Sequence, residues 1–117
     1  MSVINVRVAN IRPKYDNLRE WIDNSNHVYI GRAGIVFIDG QRYPKKSSIW
    51  ANPFKINADN DRNDVLEKYE LYIREILDND PNMVKKLLKL KGKKLGCWCK
   101  PNRCHGDILF KLIDEYG

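Results

Sequence analysis

The feature that most restricts the fold is a repeated change of hydrophobic period along the chain. Ile4, Val6 and Val8 alternate with Asn5, Arg7 and Ala9, the period of two that marks a half-buried strand. Val65, Leu66, Tyr69, Ile73, Ile76 and Leu77 instead recur at intervals of three and four, the period of a helix with one apolar face. Lys94 to Cys99 reads as a strand again, and Ile108, Leu109, Leu112, Ile113 and Tyr116 share one face of a final helix. Strands that alternate with helices bury their sheet beneath those helices, so the chain is expected to be α/β.

Between these landmarks, Tyr15, Leu18, Trp21 and Ile22 predict a short helix after Pro13, with Asp16 in its first turn. His27 to Gly31 predicts a second strand. Gly34 to Ile38 and Gln41 to Tyr43, joined by Asp39-Gly40, predict a hairpin, because both positions of a two-residue turn need positive φ. Asn63 or Asp64 can cap the long helix, which should end before Asp80-Pro81; a shorter helix over Met83 to Leu90 should stop at Gly92. With 117 residues and 43% hydrophobic content there is material for one compact core and no internal repeat. Residues 1–117 are therefore expected to form a single-domain layered α/β fold, Rossmann-like, with a mixed sheet, a β-hairpin and flanking helices.

Lys and Arg number 21 against 15 Asp and Glu, a formal charge of +6, which favours anionic partners. A small, nucleotide-derived ligand is the expected partner, and nucleic acid bound by the run Lys85 to Lys94 is the alternative. No apolar run approaches the roughly 20 residues that span a bilayer, so no membrane partner is expected. All three Cys fall between Cys97 and Cys104, too close to brace the fold as disulfides, which suits a reducing cytoplasm. Oligomeric state is not legible.

The chemistry concentrates in Gly96-Cys97-Trp98-Cys99-Lys100-Pro101-Asn102-Arg103-Cys104-His105-Gly106-Asp107, where a strand ends and a helix begins. In α/β sheets, ligands gather beyond the carboxyl ends of strands, where helix N-termini offer unpaired N–H groups to anions. Lys100 and Arg103 add charge there. Cys104 beside His105 at a helix start has the makings of a nucleophile, and His105 or Asp107 of a general acid or base; Asp107 could instead cap the helix. Cys97, Cys99, Cys104 and His105 also compose a tetrahedral zinc set as an alternative, although adjacent Cys104 and His105 are awkward ligands for one ion. The plain reading of the cysteines is buried packing. A second cluster, Ser48, Trp50, Asn52 and Phe54, suits a pocket wall that stacks a ring while polar groups read its edge, or a loop that merely covers the core. Arg32, after Tyr29-Ile30-Gly31, carries a fork that matches phosphate.

These segments together resemble an uncharacterised family, domain of unknown function 4326, of bacteria, phages and large DNA viruses. Its pattern stands here as Val28 to Arg32, Ser48 to Phe54, Tyr69, and Gly92 to Leu109, over about residues 27–117. The insert Gly34 to Tyr43 departs from it. The resemblance implies a host-cytoplasmic setting for viral or phage members but no activity. The expectation is one anion-accepting pocket with Cys104, His105 and Asp107 as chemical residues and Arg32, Ser48, Trp50, Asn52, Lys100 and Arg103 as ligand-binding ones, without a cofactor. It would handle a nucleotide or phosphate ester as a transferase, hydrolase or binder. A zinc-stabilised nucleic-acid-binding or interaction module is the rival.

Overall fold

A computed structural model describes residues 2–98 and 103–117. Strand β1 (Ser2–Asn5) is followed by helices α1 (Val8–Ile11) and α2 (Leu18–Asp23), then β2 (His27–Tyr29) and the hairpin strands β3 (Val36–Ile38) and β4 (Gln41–Tyr43). Helices α3 (Arg62–Asn79) and α4 (Pro81–Leu88), strand β5 (Lys94–Cys97) and helix α5 (His105–Tyr116) complete the chain.

The parallel sheet has the order β1-β5-β2, so the last strand in sequence is the central one. In its register Val3, Leu95 and Val28 stand side by side, as do Ile4, Gly96 and Tyr29. Because side chains alternate across a strand, the first row packs with α3, α4 and α5 around Tyr69, Ile73, Leu109 and Leu112. The second row faces Trp21, Leu18, Ile11 and Val6. Both faces are thus covered, as a parallel sheet requires. The α/β class and the layered build are as expected. Two details differ. The hairpin forms a separate antiparallel ladder rather than joining the sheet, packing Val36, Ile38 and Tyr43 against the Trp21 side. The order of the parallel strands, first, third, second in sequence, is also not the stepwise order of a Rossmann half.

Local chemistry accounts for most boundaries. The first strand stops at Asn5 because its side-chain oxygen accepts the Arg7 N–H at 3.0 Å, turning the chain into α1 and leaving Val8 exposed rather than in the strand. Asn17, not Asp16, starts α2 by accepting the Glu20 N–H. The long helix begins earlier than the apolar pattern suggested, at a reciprocal cap between Asp61 and Asp64. Asp80 then caps α4, with Pro81 in its first turn. Asp39 and Gly40 take φ of 53° and 78°, the expected hairpin turn. No described helix is long and apolar enough to cross a membrane.

Candidate functional site

The carboxyl ends of β2 and β5 open onto a cleft of about 510 Å³, within the range of small-molecule sites. Chain entry into it is tightly specified. The Ile30 N–H reaches the Gly96 carbonyl at 3.0 Å, and the Gly31 carbonyl receives the Ser48 N–H at 3.0 Å, tying the 47–61 loop to the end of β2. Gly31 is required here, since a Cβ would run into the Tyr29 ring. That ring is held by the Trp98 indole N–H, which donates to the Tyr29 hydroxyl at 2.8 Å, while the hydroxyl donates to the Arg32 carbonyl at 2.8 Å. Burial pushes the Tyr29 pKa up, keeping it a donor.

Arg32 lines the cleft, but its guanidinium is not idle. Nε and Nη2 donate to the Asn52 carbonyl at 3.0 and 2.8 Å, and Nη2 also to the Phe54 carbonyl at 3.0 Å. It clamps the loop while placing a positive charge in the wall. The loop is further shaped by its own side chains, with Asn52 accepting the Phe54 N–H and Ser48 accepting the Trp50 N–H. Arg62 donates to the Arg103 carbonyl and Arg103 to Asn63, joining the start of α3 to the approach to α5.

At the back of the cleft, Cys104 is the N-cap of α5 and His105 its first residue. His105 Nε2 lies 2.7 Å from the Ile30 carbonyl, so this nitrogen carries the proton in the neutral ring. Nδ1 then faces Cys104 Sγ at 3.6 Å, and Sγ accepts the Gly106 N–H at 3.5 Å. Tyr69 packs edge-on to the imidazole, its ring centre 5.0 Å away, and its hydroxyl donates to the Trp50 carbonyl at 2.7 Å. Burial drives the Tyr69 pKa far above the ordinary tyrosine range, so this donor stays protonated.

The fold therefore brings Arg32, Asn52, Phe54, Cys97, Arg103, Cys104 and His105 together from distant segments. Three expected members are not among the lining residues. Trp50, 3% exposed, belongs to the core beneath the loop, because a fully buried indole there closes the packing over Tyr69. Ser48 is turned into the backbone of its own loop. Asp107 accepts the Cys104 N–H at 3.0 Å in a capping box, so it serves the helix start. The same box corrects the expectation of unpaired N–H groups there: those of Cys104, Gly106 and Asp107 already have partners within the chain. Cys99 and Lys100 lie outside the described residues.

Sequence reasoning missed Ile35, Lys55, Ile56, Arg62 and Trp98 as wall residues. Ile56, 53% exposed, gave no sequence signal, since a lone apolar residue in a polar stretch is ordinary on a protein surface. Among the described residues the lining contains four cations, Arg32, Lys55, Arg62 and Arg103, and no carboxylate. Among them, too, no three His, Cys, Asp or Glu side chains group closely enough to hold a metal ion. Cys99, one member of the alternative zinc set, lies outside the described residues.

Fold and site together define an α/β protein with a basic, apolar-walled cleft at the carboxyl edge of a parallel sheet. The chain belongs to the family described as Domain of unknown function (DUF4326), which it matches over residues 14–115. The match reaches back beyond residue 27 and includes α2, whose Trp21 packs beneath the sheet. The chain is similar to the uncharacterised protein R718 of Acanthamoeba polyphaga mimivirus, 36% identical over 100 residues covering 76% of this chain and 70% of that protein. A shorter likeness, 50% over 26 residues, is to an uncharacterised 12.4 kDa protein from the nrdA-td intergenic region of Enterobacteria phage T4, covering 22% of this chain and 24% of that one. No solved structure matches the chain.

Proposed function

We propose that the cleft receives a small phosphate-bearing ligand of nucleotide type. The observation that carries this reading is a cavity wall holding four cations and, among the described residues, no carboxylate, with Phe54, Ile35, Ile56 and Trp98 supplying apolar surface beside them. Phosphate groups are matched by guanidinium forks, and flat rings by aromatic faces. No metal enters this reading.

Calorimetric titration with a nucleoside monophosphate and with inorganic phosphate tests it. Arg62→Ala and Arg103→Ala should each weaken binding about ten- to a hundredfold, the worth of one charge-assisted contact, and dialysis against a chelator should change neither affinity nor Tm. Absence of binding heat for both ligands, or unaltered affinity in both variants, would remove the reading.

A further inference from the structure

We propose that Cys104 is a nucleophile activated by His105, and that it attacks the phosphorus of a monoester held in the cleft. This rests on the anion-binding reading above and adds a reaction to it.

Three observations converge. First, Cys104 and His105 are 1% and 7% exposed, yet both are among the residues that border the cleft, where little bulk water reaches them. Second, the imidazole is oriented from another element. The Ile30 carbonyl at the end of β2 holds the proton on Nε2, which leaves the basic Nδ1 3.6 Å from Sγ. Nucleophile, base and an orienting third group is the arrangement that nucleophilic catalysis uses. After proton transfer from Sγ to Nδ1, Nε2–H stays on the Ile30 carbonyl, Nδ1–H faces sulfur, and sulfur still accepts the Gly106 N–H at 3.5 Å. Third, the N-cap position itself has no need of sulfur. Ser, Thr, Asp and Asn cap helices best, and this twelve-residue helix places a thiol there, at the positive end of its dipole.

The step balances without a redox partner. Sγ gives its proton to Nδ1 and attacks phosphorus; the S–P bond forms as the P–O bond to the alcohol breaks, and Nδ1–H protonates the departing oxygen. Water then attacks the phosphocysteine, Nδ1 takes its proton, the S–P bond breaks, and that proton returns to sulfur. The sum is ester plus water giving alcohol plus inorganic phosphate. Arg32, Arg62 and Arg103 on the wall offset the charge of the phosphoryl oxygens.

The test uses p-nitrophenyl phosphate as substrate and mass analysis of acid-quenched protein, with calorimetry of inorganic phosphate run in parallel. Wild type should release nitrophenol and gain one phosphoryl group at Cys104. Cys104→Ser keeps an oxygen cap on α5, so it should hold the wild-type Tm and phosphate affinity while losing both signals. His105→Gln, which retains an N–H for the Ile30 carbonyl but no base, should slow turnover about a hundredfold or more. Phosphate binding without turnover or adduct in wild type, or turnover unchanged in Cys104→Ser, would overturn the nucleophile and leave the binding reading standing. No phosphate binding at all would remove both.

Discussion

Gly96 shows how little room a single position leaves. It stands between Ile4 and Tyr29 in the central strand, and a Cβ there would lie 2.6 Å from two carbons of the Trp21 ring and 2.8 Å from a Val6 methyl. Both neighbours are buried, so neither can retreat into solvent. Gly96→Ala should cost about 1–3 kcal/mol, as overpacking does, lowering the urea midpoint at unchanged slope. Arg32 makes a second point at this scale. Its planar fork spans two carbonyls that an ammonium group cannot serve together. Arg32→Lys should therefore keep the charge but loosen the loop, raising amide exchange across residues 48–54 and costing about 1–3 kcal/mol.

Among the elements, α3 and α5 are joined across the surface by a charge cluster. Glu70 accepts Arg74 Nε at 2.8 Å and Lys111 Nζ at 3.1 Å, and Arg74 reaches Glu115 at 2.7 Å. The Arg74 hydrogen bond, then Lys111, hold the Glu70 carboxyl below its ordinary value of 4.5 against the opposing effect of burial. A carboxyl whose folded pKa is depressed contributes stability that is present above its unfolded pKa and lost as pH falls through the folded one. Glu70→Gln should thus be less stable than wild type at neutral pH, by a few tenths to about 1 kcal/mol for so accessible a cluster. The gap should narrow from about pH 4.5 downward and close in stronger acid. Denaturant melts of both proteins across that range check the sign.

The whole molecule separates its two basic features. The cleft lies at the carboxyl ends of β2 and β5, whereas the lysine run leads into the start of β5, where the Lys94 N–H meets the Asn26 carbonyl and Lys93 reaches the Ser25 carbonyl. The length of β5, about 10 Å at roughly 3.3 Å per residue, already exceeds the ~8 Å Debye length. Neutralising Lys89, Lys91 and Lys93 to Gln should therefore leave the affinity for a nucleoside monophosphate within about twofold of wild type. A protein that works through the lysine run would instead lose short-DNA binding in this variant, and that binding would fall steeply with salt.

Periodicity alone was enough for the α/β class, for the amphipathic faces of α3 and α5 and, through Asp39-Gly40, for the hairpin turn, because each depends on residues close in sequence. The Cys97-Trp98 and Cys104-His105 segments likewise marked where the cleft opens, since a strand that ends beside a helix start is a local event. Long-range contact decided the rest. Which aromatic forms the core and which the wall cannot be read from the loop: Trp50 and Phe54 are alike in hydrophobicity, and only the position of Tyr69 beneath the loop sends one inward. The clamp that Arg32 makes on the loop was not legible, because its carbonyl partners are 20 and 22 residues away. Arg62 and Arg103, 41 residues apart, became one wall only when α3 and the approach to α5 met. The placement of β5 between β1 and β2 has the same origin, for the last strand to be made had to satisfy both hydrogen-bonding edges and both apolar faces at once.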